Sequence, residues 1–435
     1  MYNYIEEDKI DIAELRNVKE GLEELRDMVI DYIKDENDLY QIDQGLEKAD
    51  RFLRILEIDN KEELELYLTL NDISYGTEDA DSIVEAAKKG IKALLKFVLG
   101  LIDRIIKFVT SFFNKGMTLT EKLYISALIR KKESLERAID NKKLNKNKPL
   151  DIKDKVIKKI LRHKDLFVLE AIKEGGVIDP NNVIDYVRGT LTLFTDNMVT
   201  YDNTCDTLVN MVKDIEKSNV TNNTLVGFVS ERNRYLITAL NPLKRMFNRN
   251  PILKELVNKI TEKHREEGSE TFVIPLPLKG KENNEMVGIV VIIKKPDIIA
   301  NMKPEELKNT ETVLKTVEER LKYEDLGIDI NRLDHIKVKS ASFTEIDNIV
   351  TAFKDASEKI KKKFNPDKIT KKMEKLGKKL NLINKEGFDS KSIAFKTHYI
   401  VTGLKLSTAL LESSKDLYRS GYCDSIKEYI LNHTL

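Results

Sequence analysis

The chain has 435 residues, 41% of them hydrophobic and 34% charged, with 18 Gly, 9 Pro and no Trp. At about 150 residues per domain that is room for roughly three domains, and the composition is that of a mostly helical chain; it excludes a disordered tail, a collagen and a Gly-rich sandwich or propeller. The formal net charge is +1, and two cysteines, Cys205 and Cys423, exclude a disulfide framework or a four-thiolate zinc site and suit a reducing compartment.

The charge is unevenly placed. Residues 1–85 hold 26 acidic and 9 basic side chains, a net of −17, so residues 86–435 carry a net of +18. Such asymmetry suggests a polyanion partner or a segment with a separate fate. The opening MYNYIEEDKIDIAE places acidic residues where a secretory signal needs basic and then apolar ones, which argues against export by that route. Ile12, Leu15, Val18, Leu22, Leu25, Val29 and Ile33 recur at three- and four-residue steps and predict an amphipathic helix over 11–33. Further helices are predicted near 39–57 and 61–70, before the linker NDISYGTEDADSIVE.

From Ala86 to Gly116 the character inverts to a cationic amphipathic helix. Lys88, Lys92, Lys96, Arg104 and Lys107 share one half of its circumference, and Leu94, Val98, Ile102, Ile105, Val109, Phe112 and Phe113 share the other. Its charges exclude a membrane span. The apolar face can cover the chain's own core, lie on a membrane surface, or dock on another protein chain.

A basic helical domain is predicted over 117–265, with helices at 118–140, 181–217 and 224–247, and with Leu191, Leu193, Met198, Leu208 and Met211 as core residues. A small α+β insert over 266–342 follows. TFVIPLPL (271–278) and VGIVVIIKK (287–295) read as a β-hairpin near 271–295, with Pro275 and Pro277 putting the first strand on a sheet edge. A helix is predicted at 303–323 and a third strand at 335–340. A Lys-rich C-terminal helical domain over 343–435 carries helices at 344–363, 366–380, 392–419 and 424–432. The fold class is therefore mostly α, a multi-helix body with a small α+β insert.

Two stretches are dense in lysine: residues 142–164 and residues 354–379, the latter with eleven Lys against four acidic side chains. Lys142, Lys143, Lys158, Lys159, Lys361, Lys362, Lys363, Lys371, Lys372, Lys378 and Lys379 are the candidate nucleic-acid contacts, able to neutralise phosphates without reading bases. A solvated helix face laced with i,i+4 pairs is the alternative. His163, His264, His335, His398 and His433 are scattered, and no HExxH, phosphate-binding GxxxxGK[ST] or GxSxG motif occurs. No cofactor, metal or small-molecule substrate is expected, and no enzyme activity.

The order of parts resembles the internal head (inner-core) proteins of large tailed bacteriophages: an acidic helical leader, a linker ending in a hydrophobic-x-Glu sequence, a cationic amphipathic helix, basic helices, an insert with FVIPLPL, and a terminal helix GLKLSTALLESSKDLYRSGY. The resemblance implies a virion structural protein, present in the host cytoplasm during assembly and then in the capsid interior, with packaged double-stranded DNA and other capsid or inner-core proteins as partners. It also implies removal of the N-terminal segment by the prohead protease. The candidate cleavage site is Ile83-Val84-Glu85 followed by Ala86; Val18-Lys19-Glu20 and Ile172-Lys173-Glu174 fit the same pattern. Two other readings stay open, a DNA-binding subunit of an intracellular transcription-type complex and a membrane-active effector built on residues 86–115.

Overall fold

The computed structural model describes residues 98–435 except 218–221, 304–305, 308–311 and 384–389. The leader helices, the linker, Ile83, Glu85, Ala86 and Leu94 lie outside these residues.

The described chain begins with one long helix. α1 (98–108) runs without a break through a π-helical segment, Val109–Gly116, into α2 (Met117–Lys142). α3 (Asp154–Arg162), α4 (Leu166–Lys173), the two-residue strand β1 (Val177–Ile178) and α5 (Pro180–Lys217) follow. α6 (Asn222–Leu240) stops before the helix predicted to reach residue 247, because Pro242 lacks the amide that would continue the ladder; a separate turn, Leu243–Met246, carries the chain on. Asn250 then caps α7 (Pro251–Lys263) by accepting from the Ile252 and Leu253 amides, with Pro251 at the first helical position.

β2 (Ser269–Leu276), β3 (Glu285–Lys294) and β4 (Leu314–Lys322) form an antiparallel sheet in that spatial order. The predicted hairpin pairs Ser269 with Lys294 through Leu276 with Val287, and β2 is an edge strand, as its prolines require. The third strand is not the one expected. β4 occupies the stretch read as a helix at 303–323, and β5 (Lys337–Val338), the core of the predicted third strand, pairs in parallel with β1 in a separate two-stranded sheet. LKTVEERLK is rich in helix formers, yet β3 offers it an open ladder, and its Lys, Glu and Arg side chains are those of a protected edge.

The C-terminal helices lie close to their predicted spans: α8 (Phe343–Lys363), α9 (Pro366–Ile383), α10 (Ser390–Gly421) and α11 (Asp424–Leu431). α8 starts at a capping box, Ser342 with Glu345, and buries Phe343, Ile346, Ile349, Val350, Phe353 and Ile360. α5 is the central helix, flanked by α6, α8, α9 and α10, and α7 covers the sheet. Gly403 of α10 lets that helix close on Leu208 of α5; a Cβ there would lie 2.1 Å from the Leu208 Cδ2. The buried side chains from Val98 to Ile430 form one contiguous cluster, so the boundaries drawn at 266 and 343 mark changes of secondary structure within a shared core.

α8 runs antiparallel to α2. Lys361 reaches Glu121, the Phe353 ring lies 5.1 Å from Tyr124, Asp347 pairs with Lys132, and Thr344 bonds to Asn147 beyond the end of α2. After the corner at 364–365, α9 continues along α1, with Phe364 5.1 Å from Phe113 and Gly377 facing Leu99 and Ile102.

Candidate nucleic-acid interface

α9 separates its side chains cleanly. Ile369, Met373, Leu376 and Leu380 are buried, whereas Lys371, Lys375 and Lys378 are exposed at i, i+4 and i+7, without an ion-pair partner among the described residues. Three ammonium groups thus line up over about 10 Å of helix. Lys362 and Lys363, exposed at the end of α8, stand at the corner from which α9 departs, where Asn365 caps the new helix by accepting from the Asp367 and Lys368 amides.

Not every predicted lysine belongs to this face. Lys372 is only 15% exposed and is clamped by Asp202 at 2.5 Å and Asp206 at 2.7 Å, both on α5; Lys368 joins Asp202 at 3.1 Å. These carboxylates hold the Lys372 ammonium above its ordinary range against the opposing effect of burial. Lys372 is therefore a bolt between α9 and α5, a correction to its reading as a phosphate contact. Lys361 is bonded to Glu121 and Lys159 to Glu428, at 2.6 and 2.7 Å, so their charge is partly neutralised, and Lys379 is half-buried. Lys375, absent from the predicted lysines, shares this exposed face; the i, i+4, i+7 spacing carries the signal.

The second basic stretch sits beyond the C-terminal end of α2. Residues 141–149 are all exposed, and Lys142, Lys143, Lys148 and, on α3, Lys158 have no ion-pair partner among the described residues. Lys143 closes α2 in the left-handed region at φ 52°, and Lys146 folds back toward Glu136, Asp140 and the Phe343 ring.

The amphipathic helix uses its apolar face internally. Val98, Ile102, Ile105, Val109 and Phe113 are buried, and Phe112 is half-buried, in an aromatic cluster that joins Phe108, Phe194, Phe364 and Tyr418. Asp103, Arg104, Lys107 and Ser111 face solvent. The described part of this face thus covers the chain's own core. Among the described residues no helix is long and apolar enough to cross a membrane.

A cavity of about 250 Å³ opens between α4 and α5, lined by Glu170, Asp185, Tyr186, Thr190, Arg249 and Asn250 among others. Burial, reinforced by Glu174, pushes the Glu170 carboxyl up to about 8, against the hydrogen bond it accepts from Asn250 at 2.7 Å. Arg249 is engaged by Asp196 at 2.8 Å. The sequence signal for Glu170 is its isolation in the apolar run LFVLEAIK.

Both thiols are buried; burial pushes Cys205 up to about 12 and Cys423 well above the ordinary thiol range, so each stays protonated. His433, fully buried, accepts from the Ala341 amide through Nε2 and donates to the Tyr429 carbonyl through Nδ1. His264 faces Glu319 on the sheet surface. Among the described residues no group of three His, Cys, Asp or Glu side chains is placed to hold a metal ion. Of the alternative cleavage sequences, Ile172-Lys173-Glu174 closes α4 with Ile172 buried in the core, so it offers no extended segment to a protease.

The chain matches no known protein-family model, no curated protein and no solved structure.

Proposed function

We propose that the chain is a non-enzymatic structural protein of a virion interior, of the kind represented by the internal head proteins of large tailed bacteriophages, held beside packaged double-stranded DNA through sequence-neutral lysine contacts. The observation that carries this reading is the exposed, unpaired stripe Lys371, Lys375 and Lys378 on α9, beside Lys362 and Lys363. Lysines on a smooth helix face, with no aromatic or amide group among them, suit phosphates and not base edges. The charge inversion at Glu85 adds the second element: loss of residues 1–85 leaves a product of net charge +18.

Two measurements test the reading. The purified chain should bind unrelated DNA duplexes with equal affinity and a steep salt dependence, whereas a strong preference for one sequence favours the transcription-type alternative. Mass spectrometry of purified particles should find peptides from 86–435 and none from 1–85; intact N-terminal peptides refute the cleavage.

A further inference from the structure

Resting on that reading of the lysine faces, we infer that the chain carries two separate polyanion-binding surfaces, one on residues 142–158 and one on the α8–α9 corner, and so holds two duplex segments at once. The antiparallel pairing of α2 and α8 separates them. Lys361 bonds to Glu121 at the start of α2, while Thr344 bonds to Asn147 beyond its end. Glu121 and Lys142 are 21 residues apart on one helix, ~30 Å along its axis.

α9 carries its stripe farther still from Lys142, since it leaves the corner along α1, with Gly377 beside Ile102. The surface between the two lysine groups is a belt of both signs. Arg130, Arg137 and Lys354 are exposed there with Glu133, Asp355 and Glu358, so the helix pair offers a duplex no continuous cationic track from one end to the other. Each end is predominantly basic: residues 142–164 hold ten basic side chains against two acidic ones, and residues 361–379 hold nine against two. Two cationic ends separated by a neutral belt form a bivalent binder, and on long DNA the second contact becomes intramolecular or bridging.

The test uses the full chain and a hairpin duplex of about eight base pairs, ~27 Å long at 3.4 Å per pair, too short to span the gap. Native mass spectrometry at fixed ionic strength should count two duplexes per chain. The Lys371→Gln/Lys375→Gln/Lys378→Gln variant and the Lys142→Gln/Lys143→Gln/Lys148→Gln variant should each hold one. These lysines are solvent-exposed and unpaired, so circular dichroism of both variants should match that of the parent. One duplex on the unaltered chain overturns the two-surface inference and leaves the polyanion reading standing, whereas no duplex on any form overturns both. Two duplexes on either triple variant also overturns the assignment of the surfaces.

Discussion

Asp165 and Ser425 lock two helix starts together across 260 positions of sequence. The Asp165 carboxylate caps α4 by accepting from the Val168 amide at 3.2 Å, and it caps α11 by accepting from the Ser425 amide at 3.2 Å and the Ser425 hydroxyl at 2.8 Å. Both residues are buried, so no water stands ready to replace these bonds. Asp165→Ala removes two caps and orphans buried donors, at a cost of about 2–4 kcal/mol. Asp165→Asn, which keeps one acceptor oxygen, should lose about half as much; guanidinium unfolding midpoints compare the two.

Gly403 and Leu208 set how closely α10 approaches α5. Gly403→Ala should destabilise by about 1–3 kcal/mol through overpacking. Leu208→Ala alone leaves a cavity, at about 2–5 kcal/mol. Because each change relieves the other's misfit, the double variant should unfold at a higher denaturant concentration than the sum of the two single effects allows.

Glu170 gives stability a pH dependence of definite sign. The folded chain holds this proton up to about pH 8, while the unfolded chain releases it near the ordinary value of 4.5. Its contribution is therefore fully present below about pH 4.5 and is lost as pH rises through 8, a few kcal/mol in all. Glu170→Gln should flatten the stability profile between those limits, as read from urea unfolding at a series of pH values.

His433 acts in the opposite sense. Burial lowers its affinity for a proton, and the Ala341 amide needs its Nε2 as an acceptor. Protonation takes that acceptor away, so stability should fall as pH drops below 6.5, and His433→Gln should remove this acid-side decline from the unfolding series.

The paired and unpaired lysines of α9 should part company on substitution. Replacing Lys371, Lys375 and Lys378 with Gln should reduce the slope of log K against log salt by about 3, with little loss of stability. Lys372→Gln should leave the slope nearly unchanged and destabilise by about 1 kcal/mol, because Asp202 and Asp206 lose the cation that faces them.

Periodicity located the helices from α8 onward and the β2–β3 hairpin because each declares itself locally: a capping box at Ser342, a one-sided apolar stripe, two β-branched runs. β4 was illegible for the converse reason. Leu314, Val317 and Leu321 suit a helix face as well as a strand, and only pairing with β3, through Val290–Val317 and Met286–Leu321, decides between them. The lysine face was legible as a density of charge, but which lysines remain free was not. Asp202 meets Lys372 across 170 positions, and no local pattern announces it. The apolar face of residues 98–113 likewise reads the same in sequence whether its partner is a membrane or the core.

The interleaving of the chain's two halves bears on how it is made. Asp151 and Thr434 exchange backbone hydrogen bonds, Leu150 donates to Ala341, and among the described residues the buried face of α2 packs chiefly on α8 and α11. The closing contacts of the core are thus among the most distant in sequence, and loop closure must precede most of the burial that rewards it. A nascent chain emerging from the ribosome lacks those C-terminal contacts over Tyr124, Leu128, Leu135 and Ile139 until α8 and α11 have been translated, and an apolar stripe that waits for distant partners is where aggregation competes with folding.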